Sequence, residues 1–281
     1  MPPAPRSAKP TTYCLTLEYE GTRYHGWQEQ QNARSVAGEL RRAVQEALGE
    51  GNPIKELGGS GRTDAGVHAL AQTAHLRLAR TVDAAGLRRE INERLPADIH
   101  VLELAAAATN FHARHSAIAR SYLYQVSQRR TALAKRYVWW VKRPLDVERI
   151  RAAAALLVGR HDFRLFCERP AEQPSTVVVV ERAEVVTAGA LILCRLVASH
   201  FLWKMVRRVT GALMRVGSGE LDLDTCAALI DADAARLARL PGGAPQPAEW
   251  TAPPSGLFLE RVLYPGDPPL APLVAPVVAV P

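Results

Sequence analysis

The chain has 281 residues, 48% of them hydrophobic and 22% charged, the balance of a folded globular protein with room for two domains of ordinary size. No apolar run approaches the roughly 20 residues of a membrane-spanning helix, and the opening MPPAPRSAKP has no apolar stretch to serve as a secretory signal, so a soluble, cytoplasmic protein without membrane association is expected. Lys and Arg outnumber Asp and Glu by 35 to 28, a formal net charge of +7 that favours a polyanionic partner, with nucleic acid the leading candidate.

Residues 1–11 are rich in proline and small side chains and read as a poorly ordered tail. Tyr13, Leu15, Leu17 and Tyr19 then alternate as a strand, and Ser35 offers an N-cap to a helix carrying Val36, Leu40, Val44 and Leu48 on one face before Gly49. Strands are predicted at about 54–58 and 70–78, followed by a helix with Leu87, Ile91 and Leu95 ended by Pro96, and a strand near 99–104. The first half, 12–112, therefore reads βαββαβ.

The second half, 113–265, opens with a strand at about 117–127 that sets Ile118, Tyr122, Tyr124 and Val126 on one face, then a helix from Asp146 to Gly159. Two β-branched segments, 175–186 and 190–198, flank a turn containing Gly189; a helix of about 200–216, a helical insertion at about 222–240 and a strand at 257–263 complete it. The order is βαββαβ again, without obvious sequence identity between the halves. Residues 266–281 read as a second, Pro/Val-rich tail. The expected fold class is α+β: two ferredoxin-like halves joined edge to edge in a mixed, mainly antiparallel sheet, with a wide basic cleft. Such a scaffold hosts many activities, so the site has to carry the functional claim.

The densest local signal is Gly58-Gly59-Ser60-Gly61-Arg62-Thr63-Asp64-Ala65-Gly66-Val67-His68, between the second and third predicted strands. Four glycines surround one carboxylate, letting backbone approach a ligand closely while Asp64 is pushed outward, and Arg62 can hold a carboxylate ionised or bind phosphate. On spacing alone, a turn in which Asp64 bonds nearby amides is the commoner meaning of such a loop. The glycine pattern is not a dinucleotide fingerprint, a P-loop or a nucleophile elbow, which disfavours nucleotide cofactors and serine hydrolysis. Cys14, Cys167, Cys194 and Cys226 are widely separated and read as reduced thiols rather than zinc ligands.

The segment GRTDAGVHA resembles the signature of the tRNA pseudouridine synthases of the TruA type, and the likeness extends along the chain. Tyr24-His25-Gly26-Trp27-Gln28 is similar to the family's early motif and Arg120-Ser121-Tyr122-Leu123-Tyr124 to its Arg-x-Tyr-x-Tyr strand. Phe201-Leu202-Trp203-Lys204-Met205-Val206-Arg207 is similar to its Phe-Leu-x-x-Met-Val-Arg helix, and Pro254-Ser255-Gly256-Leu257-Phe258-Leu259 to its C-terminal Gly-Leu segment. The five motifs stand in family order within residues 12–265. Trp203, Lys204 and Arg208 depart from the family pattern, where histidine or asparagine is frequent.

The resemblance implies an isomerase without cofactor or metal that converts uridine to pseudouridine at positions 38, 39 and 40 of the tRNA anticodon stem-loop, working as a homodimer. It implies Asp64 as catalytic carboxylate, with Tyr122 and Arg207 as catalytic partners, and Arg62, Thr63, His68, Tyr122 and Leu257 as substrate-binding residues. Without it, Tyr122 would read equally as a strand core residue and Arg207 as a solvated helical charge. His112 and His115 have a spacing that can ligate metal, but no third ligand is apparent in the sequence, and RNA contact or polar packing is expected. Arg129, Arg130, Lys135 and Arg136 with Tyr137, Trp139 and Trp140 read with equal weight as an RNA contact or as a solvated charged loop.

Overall fold

The structure is a computed structural model that describes residues 10–277 and residue 280. Most of the expected N-terminal tail, residues 1–9, and positions 278, 279 and 281 of the C-terminal one lie outside the described residues. The chain divides into two compact units, Met1–Ala117 and Ile118–Pro281.

The first unit runs β1 (Thr11–Tyr19), α1 (Val36–Leu48), β2 (Ile54–Gly59), β3 (His68–Leu78), α2 (Ala84–Arg94) and β4 (Ile99–Ala107). Its strands lie in the order β4-β1-β3-β2 with every neighbouring pair antiparallel, the ferredoxin-like arrangement that the element order predicts. Local chemistry sets the helix ends. Ser35 Oγ accepts the Gly38 amide at 3.3 Å, Gly49 closes α1 at φ 61°, and the Asp83 carboxylate caps α2 by accepting from Ala85 and Gly86. Leu15, Leu17, Leu40, Leu76, Leu78 and Ile91 are fully buried between helices and sheet. Between Leu17 and Tyr19 the register of β1 against β3 shifts, so this end of the strand is irregular where it meets the Asp64 loop.

The second unit contains β5 (Ala119–Ser127), β6 (Trp139–Trp140), α3 (Val147–Ala155), β7 (Gly159–Asp162), β8 (Val177–Ala188), β9 (Leu191–Ala198), α4 (Met205–Gly217), α5 (Leu223–Ile230), α6 (Ala234–Leu237) and β10 (Leu257–Leu263). Its path β10-β5-β9-β8-β7 repeats the first unit's arrangement with one added edge strand, while β6 pairs parallel to β5. The α+β class and the mainly antiparallel strands are thus as expected.

Several details differ from the sequence reading. Ile118 precedes β5 and is exposed, and β5 is covered on both faces, since Leu123 and Gln125 are buried as well as Tyr124 and Val126. Helix α4 starts at Met205 rather than near 200 because Lys204 adopts φ 61°, outside the helical region. Helix α3 stops at Ala155, ahead of Gly159. Strands β6 and β7, of two and four residues, are too short to give a periodic signal. Part of the expected C-terminal tail is packed: Val280, Leu273 and Ala275 lie against Leu123, Val138, Leu191 and Leu193, and the Ala190 amide donates to Val280 O at 2.8 Å. Those leucines of β9 are apolar surface that needs a cover, and Leu273, Ala275 and Val280 of the tail supply it. Among the described residues, no helix is long and apolar enough to cross a membrane.

Candidate active site

Asp64 is half-buried at the first position of a β-turn closed by the Val67 amide donating to Asp64 O at 3.2 Å, with Gly66 at φ 77° as such a turn demands. The residues on either side are locked. Thr63 is buried and shares a 2.8 Å hydrogen bond with the Tyr19 hydroxyl, and its carbonyl accepts the Trp27 amide at 3.2 Å. The Gly66 amide donates to Tyr24 O at 3.2 Å. At the loop's entry, Ser60 Oγ donates to Gln72 Oε1 at 2.7 Å inside the sheet, and the Ser60 amide donates to Thr73 O at 2.8 Å. At its exit, His68 is buried, with Nδ1 accepting the Gly21 amide at 3.0 Å. Arg62 alone among the expected substrate contacts of this loop is exposed.

The segment Tyr24–Gln28 turns out to be the wall against which this loop is cast. A side chain at Gly26, which has φ 89°, would put its Cβ 2.3 Å from Thr63 O, and one at Gly21 would reach 2.0 Å from Val67 O. Behind the end of β2, the buried Trp27 ring would lie 2.5 Å from a Cβ on Gly59. Tyr24 is itself fixed by its hydroxyl donating to the Asp98 carboxylate. Burial pushes the Tyr19 phenol well above its ordinary pKa, against the opposing bonds to Thr63 and Gln72, so Tyr19 acts as a neutral strut. Neither Tyr19 nor Trp27 is assigned a role by the sequence reading; the early motif was the only signal for the second.

In the second unit, Tyr122 sits on β5 opposite Leu196 of β9 and Leu259 of β10, half-buried, with its ring edge-on to Phe201 at a centroid distance of 5.0 Å. Arg207 projects from the first turn of α4, where its Nε donates to Ala252 O at 2.7 Å while the Ala252 amide returns a bond to Arg207 O at 3.1 Å. The Tyr124 hydroxyl donates to the next carbonyl, Pro253 O, at 2.6 Å. Burial holds that phenol far above its ordinary pKa although Arg207 pulls the other way. Leu257 is buried at the start of β10, opposite Tyr124. Gly256 before it has no space for a side chain, since a Cβ would lie 2.5 Å from the Tyr124 ring. Arg207, Tyr124 and the 252–257 segment thus form one locked group.

The histidine pair proves to be part of a different cluster. His112 lies tilted against His115, but also against His75, both at 4.3 Å between centroids, and His75 Nε2 lies 3.2 Å from Glu56. Glu56, His75 and His112 bring ligand-type atoms within 4.8 Å of one another, a third and fourth partner that sequence spacing does not reveal. His75 Nδ1 accepts the Ala113 amide at 3.2 Å and His112 Nδ1 accepts the Arg114 amide at 3.2 Å, which leaves Nε2 of each ring toward Glu56, at 3.2 Å for His75 and 4.0 Å for His112. Arg77 Nη1 lies 2.6 Å from the same carboxylate, so Glu56 sits among one arginine and two histidines. The burial of His112 and its neighbours His75 and His115 lower its pKa, while burial of Glu56 is outweighed by His75, Arg77 and His112, which lower that carboxylate. In the basic run, Arg129, Arg130, Lys135 and Arg136 are exposed, and Arg130 and Lys142 each lie 5.7 Å from the Trp140 ring.

Residues 16–116 and 153–265 match the family model described as tRNA pseudouridine synthase. The chain is 40% identical over 258 residues to the tRNA pseudouridine synthase A of Agrobacterium fabrum, a match spanning 90% of this chain and 92% of that protein. It is 39% identical over 257 residues to the protein of that name from Rhizobium meliloti, covering 90% and 99% of the two chains. Against the Brucella ovis protein of the same name it is 40% identical over 257 residues, covering 90% and 97%.

Proposed function

The chain belongs to the tRNA pseudouridine synthase family, and from that premise we propose that it isomerises uridines 38, 39 and 40 of the tRNA anticodon stem-loop, with Asp64 as its catalytic carboxylate. The observation that carries the assignment of Asp64 is the construction of its turn: neutral hydrogen bonds and glycine contacts fix the residues before and after it, which is how a reactive group is held in one geometry before substrate arrives. In the reaction the N1–C1′ bond breaks, the uracil turns, and a C5–C1′ bond forms; the hydrogen at C5 leaves as a proton and N1 takes one up. No electrons are gained or lost, so neither cofactor nor metal is required. Asp64 attacks C1′ or C6, or removes the C2′ proton, and each route needs an ionised carboxylate within hydrogen-bond reach.

Tyr122 serves as the ring on which the extruded uracil stacks and as a hydroxyl for proton transfer, because a base must leave the helical stack to be reached. Arg207 supplies positive charge to the same chemistry, Arg62 contacts phosphate, and Leu257 gives the base an apolar wall. Thr63 and His68, buried and bonded within their own unit, contribute through the shape of the Asp64 loop. The enzyme works as a cytoplasmic homodimer.

The test is tritium release from C5-labelled uridine in tRNA, comparing wild type with Asp64→Asn. Release by the wild type and a loss of at least about a thousandfold in the variant, with tRNA affinity within a few fold, is the expected result. No release by either protein, with tRNA still bound, would leave a catalytically silent RNA-binding module, and release from other uridines would reassign the target.

A further inference from the structure

Trp203 is the one exposed Phe, Tyr or Trp side chain among the described residues, with 42% of its surface accessible, although the residues around it in sequence, Leu202, Met205 and Val206, are buried. Its setting is built rather than incidental. Arg169 places its guanidinium carbon 5.5 Å from the centre of the indole and Lys204 its Nζ at 5.6 Å. Both cations come from left-handed backbone, Arg169 at φ 50° and Lys204 at φ 61°, and the described residues contain just one other non-glycine residue with positive φ, Ala232. Side chains with a Cβ resist that region, and such strain persists where surrounding contacts over-determine it.

Those contacts are present. The Glu168 amide donates to Trp203 O at 2.9 Å, tying the two segments together. The Glu168 carboxylate then binds the buried Arg208 and lies 3.4 Å from Lys204 Nζ. Glu168 thus ties the Trp203 backbone, Arg208 and Lys204 together, Glu172 pairs with Arg169 at 3.3 Å, and a partly exposed indole and two cations share one patch. On the same short segment, Phe201 packs its ring against Tyr122.

We propose that Trp203, Arg169 and Lys204 form a second stacking platform, which takes an unpaired tRNA base flanking the target uridine while the two cations meet its phosphates. A base offers a π-face to the indole and to the guanidinium plane alike, and the adjoining phosphates complement the cations. The platform rests on the reading of this chain as a tRNA pseudouridine synthase with Tyr122 at the target base, and it extends that site by a neighbouring nucleotide. Its role is to position RNA, not to take part in bond exchange.

The experiment uses the full chain and an unmodified transcript of a substrate tRNA. Trp203→Ala should raise the Kd by about tenfold and KM in parallel, with kcat at saturating tRNA within about twofold, since stacking on one ring is worth roughly that much. Trp203→Phe should recover most of the affinity, and Arg169→Gln should lower the slope of log affinity against log salt by about one. Thermal unfolding checks that each variant is folded, and the phenylalanine variant keeps the test decisive if the alanine one is not. Wild-type affinity in Trp203→Ala overturns the platform. So does a phenylalanine variant as weak as alanine, or a loss confined to kcat. Wild-type protein that binds tRNA without modifying it overturns the functional reading separately, and wild-type protein that binds no tRNA overturns both.

Discussion

The Asp64 loop and the Trp203 turn solve the same problem by opposite means. Each sets a side chain beside backbone that most residues avoid. The loop uses glycine where the chain bends, with Gly66 at φ 77° and, in the wall beside it, Gly26 at φ 89°, and several of its fastening bonds join neutral groups: Tyr19 to Thr63, Ser60 to Gln72, the Gly66 amide to Tyr24. The turn holds Arg169 and Lys204 in the left-handed region, with the charged Glu168 paired to Lys204 and Arg208 and Glu172 paired to Arg169. A scaffold of neutral bonds and steric contacts keeps its shape as salt and pH change, while one clamped by ions softens with salt. The role proposed for Asp64 calls for the first kind; the RNA contact proposed for the Trp203 turn tolerates the second.

The sharpest way to break the loop is Gly26→Ala. The added Cβ would lie 2.3 Å from a backbone oxygen, which no side-chain rotation relieves, and the residue would also keep φ 89°. A loss of about 3 kcal/mol in unfolding free energy is expected, together with near-complete loss of turnover, measured by urea denaturation and tritium release. The corresponding change in the turn is Glu168→Gln, which removes the carboxylate beside the buried Arg208. About 2 kcal/mol should be lost at low salt, because a buried guanidinium is left without its counterion. The gap from wild type should narrow as salt rises, whereas the Gly26→Ala gap should not. If both gaps respond to salt alike, the two regions do not differ in the way their bonding suggests.

Much of this was legible in the sequence and some could not have been. The βαββαβ order of each half followed from alternating residues such as Tyr13 to Tyr19 and from caps such as Ser35 and Asp83, because those signals act over a few residues. Asp64 stood out through the glycines around it. What held the loop did not, since the Tyr19–Thr63 and Trp27–Gly59 contacts join segments far apart in the chain and become visible only when the strands are paired. His112 was paired in sequence with His115, while its decisive neighbours, His75 and Glu56, come from other strands. The start of α4 is hidden from composition for a local reason: Lys204 is an ordinary helix former, yet it stands at φ 61° with its ammonium beside Glu168.

The smallest change that still distinguishes the two modes of support is Tyr19→Phe, which deletes one hydroxyl and leaves the ring packing. It leaves the buried Thr63 hydroxyl without its partner, so about 1 kcal/mol of stability should go, with a several-fold fall in kcat and little change in KM. Burial raises the Tyr19 pKa, which keeps the phenol protonated through the neutral and mildly alkaline range, so the fall in kcat should be the same at each pH across it. Combining it with Thr63→Val makes the attribution firm. If the shared bond is what positions Asp64, the double variant should lose little more activity than either single one. Additive losses would mean that Tyr19 and Thr63 act on the loop separately, and the neutral strut would no longer account for how the carboxylate is held.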